Sequence, residues 1–319
     1  MDPTNTPSPK TNMQAQDREI LRSAMINLED ISFLIKVADF IGTPIEKILD
    51  TLPPKASSMV NKASDKAMRK TLDIAISSLK DKSLVASPKK HKFASAVSGA
   101  LGGATGFAGL AIELPITTTI IFRSIADIAR SEGCSLEDPQ TYMECLQIFA
   151  LGSPGNPADD GSESAYLGAR FALAASMQEA AVFMAKSTLA SEAPPALIKF
   201  ITSIANRFGI VVSYKAAAQF APVIGAVGGA ALNTFFMDHF QNIARSHFTI
   251  RRLEKKYGQA VIESEYLSLM EDAYRRGDIK ERPTTGTRRP TPPPPPGKNK
   301  PEKEVEVEID VENLNKDDQ

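Results

Sequence analysis

The chain has 319 residues, 42% hydrophobic and 24% charged. This is ordinary globular usage that excludes a wholly disordered or fibrous protein and leaves room for one large domain or two small ones. Thirty-seven Lys and Arg stand against 38 Asp and Glu, a net charge of −1, and nothing in that balance points to a nucleic-acid partner. Two cysteines make no disulfide scaffold, which favours a reducing compartment; with no Trp, six Tyr and three His the catalytic vocabulary is thin.

Residues 1–16 are rich in Pro, Thr and Asn and lack the basic region and apolar run of a secretory signal; they are expected to be disordered. From residue 17 to 277 the punctuation is helical. Gly42-Thr43-Pro44-Ile45-Glu46 reads as a stop followed by a start, with Thr43 as N-cap, Pro44 at the first helical position and Glu46 closing a capping box. Gly133 with Asp138-Pro139 repeats that logic, Pro194-Pro195 opens another helix and Gly258 closes one. Apolar residues recur at helical spacing in Val60, Ala63, Ala67, Leu72, Ala75, Leu79 and in Ile121, Ile125, Ile128. About nine or ten helices are expected.

Phe93 to Phe122 contains a single charge, Glu113. Its first twenty residues are long enough to cross a bilayer, yet fourteen of them are Gly, Ala, Ser or Thr. Gly99, Gly102, Gly103 and Gly106 strip one helix face bare and invite a second backbone to approach. Ala216 to Met237 is likewise free of charge and repeats the small-residue hexad, with Gly225, Gly228 and Gly229 in Gly225–Ala230 answering Gly99–Ala104. The simplest expectation is that the two bare faces pack on each other as buried core; membrane insertion is the other reading. Lys89, Lys90 and Lys92 precede the first segment, and Arg251 and Arg252 follow the second. Basic clusters beside apolar helices are attracted to an anionic leaflet by about 1 kcal/mol per charge.

From residue 278 to 319 the chain is expected to be disordered: a Pro-rich tract with five consecutive prolines, Pro292 to Pro296, then a tail with eight acidic residues against two lysines. Arg289, Pro292 and Pro295 fit a loose SH3-ligand spacing, so the tract is a candidate arm for an unidentified protein partner.

Two polar groups invite a site. Glu113 lies in apolar surroundings before Pro115, which is expected to break the helix at Leu114; Arg123, Asp127 and Arg130 share a face of the next helix. The cluster reads either as a buried network in which Glu113 meets an arginine, or as an anion or lipid-headgroup site. Asn233, Asp238, His239 and His247 form the second group. Histidines eight residues apart stand about 80° apart on a helix and make a poor metal pair. There is no His-Glu-x-x-His, nucleophile elbow or Walker A sequence, and no cofactor or metal is expected. Cys134 and Cys145 read as ordinary small residues.

Ser98 through Leu110, Glu113 through Thr119, Arg123 through Arg130, and Glu137-Asp138-Pro139 leading to Gly152 closely resemble the EcsC protein family. So do Pro222 to Asn233, Asp238-His239-Phe240, His247-Phe248, Leu253-Glu254 and Tyr257-Gly258; the similarity runs from about Ile45 to Tyr274. The family is named for the third gene of an operon encoding an ABC transporter, and its members share no agreed biochemical activity. The resemblance therefore implies a link to transport or secretion by association, and an ABC-transporter-related partner on the same footing.

The expectation is an all-α protein, a single large multi-helix domain built around two Gly-rich apolar helical hairpins. It would be non-enzymatic and peripheral at the cytoplasmic face of a membrane. Two alternatives stand beside it: a peptidase-like hydrolase with a site near Glu113, Asp238 and His239, and a soluble helical adaptor that uses the Pro-rich tail.

Overall fold

The computed structural model of the protein describes residues 13–29, 32–53, 55–81, 107–151, 164–186, 194–219 and 226–279. Among these every regular element is helical: α1 (Ala15–Glu29), α2 (Ser32–Ile41), α3 (Ile45–Ile48) with a 3-10 turn at Leu49–Thr51, α4 (Ala56–Asp81), α5 (Phe107–Ser131), α6 (Pro139–Leu151), α7 (Ala165–Lys186), α8 (Pro195–Gln219), α9 (Ala226–Tyr257) and α10 (Gln259–Arg276). Contacts gather into one compact unit over Met1–Pro283, while the remaining segment, Thr284–Gln319, lies outside the described residues. Of the expected disordered ends, 1–12 and 280–319 lie outside them, but Ala15 and Gln16 are helical in α1, so the ordered chain starts earlier than expected. The Pro-rich tract and acidic tail, Lys89, Lys90, Lys92, and Gly99, Gly102, Gly103, Gly106 and Gly225 also lie outside the described residues.

The helix boundaries follow local chemistry. Gly133 adopts φ 84° and Gly277 φ 75°. At each, two amides reach back to the last carbonyls: Gly133 N to Arg130 O and Cys134 N to Ala129 O, Gly277 N to Tyr274 O and Asp278 N to Ala273 O. These are the paired bonds that close a helix on a left-handed residue, which only glycine adopts without strain. Asp138 caps α6 through Oδ1, which accepts from Gln140 N at 3.0 Å, with Pro139 at the first helical position. The Gly42 boundary differs by one residue from the expected box. Pro44, not Thr43, occupies the N-cap of α3, and no side chain caps it.

Pro115 does not break the helix. α5 runs continuously from Phe107 to Ser131 with Pro115 inside it. A mid-helix proline removes one hydrogen bond and costs about 3 kcal/mol. Here the flanking turns are buried through Leu110, Leu114, Thr117, Thr118 and Ile121, and α5 packs against both α4 and α9. Tertiary burial on both sides of the proline sustains the helix that local propensity would end. Thr118 and Thr119 donate their hydroxyls to the carbonyls of Leu114 and Pro115 at 2.6 and 2.8 Å, the i−4 back-bonding common to helical threonines.

The 32-residue α9 is the spine, packed against α1, α2, α5, α6, α8 and α10. Around its middle, Phe149 stands 5.1 Å from Phe240 and 5.3 Å from Phe208, and Phe236 stands 5.1 Å from Phe240. These rings join α6, α8 and α9 in one aromatic core. A ladder of polar contacts shows that α5 and α9 run parallel. Asn233 Nδ2 donates to Thr117 Oγ1 at 3.3 Å, Gln241 Nε2 to Ser124 Oγ at 2.7 Å, and Arg252 Nε to Glu132 Oε2 at 3.0 Å. The sequence offset across these rungs is 116, 117 and 120 residues, whereas the two hexads are 126 residues apart. Carried back along α9, that register brings Gly229 level with Glu113. The first hexad lies outside the described residues.

Candidate functional site

The isolated acid of the first apolar segment has a partner that its own helix does not supply. Glu113 Oε1 lies 2.5 Å from Lys215 Nζ of α8, with the lysine side chain 0% exposed and the glutamate 3%. Gln219 Nε2 donates to Glu113 Oε2 at 3.2 Å and Thr117 Oγ1 to Glu113 Oε1 at 3.4 Å. The lysine ammonium also sits 4.9 Å from the centroid of the Phe236 ring. One ion pair and its hydrogen bonds thus tie α5 to α8, and the Phe236 ring brings α9 against the lysine. The expected arginine partner is replaced by this lysine. Arg123 is exposed and forms no ion pair with a described residue, and Arg130 reaches Asp127 at 3.4 Å on their own helix. Ten residues along one helix separate Glu113 from Arg123 by about 15 Å, too far for contact.

A second buried cluster joins α6, α7 and α9, and sequence reading found only two of its members, Arg251 and His247. Arg170 grips Glu254 with both guanidinium nitrogens, at 2.5 and 2.8 Å. Arg251 bridges Glu254 and Glu144 at 2.8 Å each. Burial works to raise the Glu254 carboxyl, but Arg170 and Arg251 outweigh it and hold its pKa below the ordinary value. His247 lies beside this cluster, fully buried, with Nδ1 3.0 Å from the Tyr166 hydroxyl and no partner at Nε2. Its pKa is driven well below the usual histidine value, first by burial and then by the Arg170 and Arg251 charges. Tyr166 stacks near Tyr266, whose hydroxyl donates to Glu29 at 2.8 Å, and Ser164 donates to the same oxygen at 2.6 Å.

The remaining predicted residues are dispersed. Asn233 holds Thr117. His239 packs against the rings of Phe33 and Phe240 at 4.9 and 5.0 Å, and Asp238 is half-buried one residue before it. Glu113 bonds to neither of them; its partners are Lys215, Gln219 and Thr117. Arg251, expected at a membrane surface, is committed to Glu144 and Glu254, and Arg252 to Glu132. Gly228 is half-buried and Gly229 buried at the start of α9. Both cysteine thiols are pushed up by burial, away from the reactive thiolate. A shallow groove of about 370 Å³ lies between α1 and α9, lined by Glu19, Ser23, Asn27, Arg245 and Thr249 among others; neither Glu113 nor His247 borders it.

Chemically, Glu113, Glu144 and Glu254 each face a lysine or arginine from another helix, which suits both clusters to holding helices in register. The family model of the EcsC protein family matches residues 34–253. The chain belongs to the EcsC protein family. The match begins in α2, ahead of Ile45, and stops at Leu253, so it takes in Glu113, Lys215, Arg170 and His247 and leaves α10 outside. No curated protein and no solved structure matches this EcsC chain.

One signal for the missed pair was present. Phe93–Phe122 contains only Glu113 as a charge, and Phe208–Met237 contains only Lys215. A lone acid in one apolar stretch and a lone base in another satisfy each other, because neither can remain buried alone. The Arg170–Glu254–Arg251–Glu144 cluster gave a weaker signal: Glu144 and Arg170 are single charges in their own stretches, but Arg251 and Glu254 sit in a charged run that offers several partners.

Proposed function

We propose that this EcsC protein is a non-enzymatic peripheral membrane protein that attaches to an anionic leaflet at the cytoplasmic face, through the end of the bundle where α5 begins. The observation that carries this reading is the exposure of Ile112, 70%, and Ile116, 44%, one turn apart at the start of α5. They directly follow the apolar segment at 93–106, which Lys89, Lys90 and Lys92 precede. Lys62, Lys66 and Lys70 are exposed along α4, which packs against α5. Apolar side chains that enter the headgroup region beside lysines that face it are the two elements of interfacial binding.

Attachment, not spanning, fits the interior of the bundle. Gly109–Ser131 and Pro195–Gln219 are long and apolar enough to cross a membrane, yet 67% and 56% of their apolar windows are buried within the protein. Extracting either would leave Glu113 or Lys215 without its partner in hydrocarbon. The link to transport or secretion, and to an ABC-transporter-related partner, rests on family association; capture of a further protein by the Pro-rich tail belongs to the same proposal.

Co-sedimentation with vesicles tests it. The full chain should pellet with phosphatidylserine-containing vesicles, stay in solution with pure phosphatidylcholine, and be released by high salt. Converting Lys89, Lys90 and Lys92 together to Gln should weaken binding about a hundredfold at about 1 kcal/mol per charge. Ile112→Glu should reduce it while leaving the melting temperature unchanged. Equal binding to both vesicle types, or none to either, defeats the reading.

A further inference from the structure

α5 packs against α4 and α9 and leaves a strip of its surface open. Ile112, Ile116, Arg123 and Arg130 are exposed along that strip, and Thr119 and Ile120 are half-buried. At about 100° per residue these six positions fall within about 100° of the helix circumference. Thr117 and Ser124, which meet α9, lie outside that sector. The strip changes chemistry along its length, from three isoleucines to two arginines, with no acid among them. Arg123 forms no ion pair with a described residue, and Arg130 reaches Asp127 only at 3.4 Å.

α4 supplies further cations beside this strip. Gly209 of α8 faces Asn61 and Ser64, so α8 covers that flank of α4, and α5, its other main neighbour, covers the opposite one. Lys66 and Lys70 are exposed and Met59 is 42% exposed. All three stand about 140–180° around α4 from Asn61, at the margin next to α5. Asp73 is the exposed acid on that side of α4. Isoleucines on an open strip, with cations at its far end and along its margin, compose a helix that lies in the plane of an anionic interface. The long stems of Arg and Lys cover apolar surface while their heads reach outward. We infer that α5 lies along the leaflet, with Ile112, Ile116 and Ile120 in the headgroup layer and Arg123 meeting the phosphates of anionic phospholipid. This rests on the membrane reading and adds to it the orientation of the chain and the residue that engages the headgroup. A chain attached end-on would hold Arg123 eleven residues, about 16 Å, beyond Ile112. That is past the screening length of about 8 Å at physiological salt.

The test uses the full chain on phosphatidylserine-containing vesicles. With Cys134→Ser and Cys145 buried, a single spin label is placed at Ile112→Cys or at Thr119→Cys. On vesicles both labels should lose access to a water-soluble relaxation agent, because both lie on the strip that faces the leaflet. Arg123→Gln should weaken vesicle binding about fivefold or more at the attraction of one charge near the surface, with the melting temperature unchanged. Lys199→Gln, exposed on α8, should leave binding as it was. A Thr119 label that stays as open to water as in the free protein, while the Ile112 label is shielded, overturns the inference. So does an Arg123→Gln variant that binds no more weakly than Lys199→Gln. Either result leaves the membrane reading standing, since the chain still binds; a chain that binds no vesicle removes both.

Discussion

Lys215 carries its charge where no water reaches, 0% exposed beneath Phe236 and against Glu113. The attraction of the pair is largely offset by desolvation, so its removal as a whole is inexpensive, while removal of one member strands the other. Lys215→Met should therefore destabilise the fold by about 3–5 kcal/mol, and adding Glu113→Gln should recover a substantial part of that loss. Urea unfolding of the single and double variants checks it; a double variant no better than the single would mean that the ion pair is not the main coupling. His247 makes a pH prediction. Its folded pKa is depressed, whereas the unfolded chain titrates near 6.5. Below that value the unfolded state takes up a proton that the folded state refuses, so stability falls as pH drops from about 6.5, by up to about 1.4 kcal/mol per pH unit. Glu254, also depressed, adds a loss of the same sign only as pH falls below about 4.5 toward its folded pKa. Denaturation curves at pH 7.5, 6 and 5 should show the slope, and His247→Gln should flatten it.

At the scale of helices, close approach is documented at Gly209. A β-carbon there would lie 3.4 Å from Asn61 Oδ1 and 3.7 Å from Ser64 Oγ, across the contact of α8 with α4. Asn61 is exposed and its amide free to give way, so Gly209→Ala should stabilise the protein by about 0.5–1 kcal/mol through helix propensity. Gly209→Leu should destabilise it by about 1–3 kcal/mol through overpacking. Thermal melts of the two variants that shifted in the same direction would contradict this account of the α4–α8 contact. α5 teaches the same lesson about competing terms. A proline whose local cost is about 3 kcal/mol is retained mid-helix because the turns on both sides are buried by neighbours far away in sequence.

For the molecule as a whole, the distribution of charge bears on the proposed attachment to a membrane. Two of the basic residues after the second Gly-rich segment are paired with acids of the bundle, Arg251 with Glu144 and Glu254 and Arg252 with Glu132. In the proposed attachment, the exposed lysines of α4 together with Lys89, Lys90 and Lys92 of the sequence would provide the attraction. A leaflet held by such charges together with two isoleucines releases its protein when salt screens them. A spanning helix would resist salt and alkaline carbonate alike.

Residue order alone carried the all-α class, the stops at Gly133 and Gly258, the cap at Asp138-Pro139 and the family, because capping, helical periodicity and motif spacing are local and survive without any knowledge of neighbours. Partnership was legible only where chemistry left one candidate: Glu113 and Lys215 are the single charges of two apolar stretches. The Arg170–Glu254–Arg251–Glu144 cluster, the continuity of α5 through Pro115 and the parallel register of α5 with α9 belong to the folded molecule. Each depends on which distant helix supplies a counter-charge, a burying surface or a matching rung, and that choice is made by the packing of the whole bundle around α9.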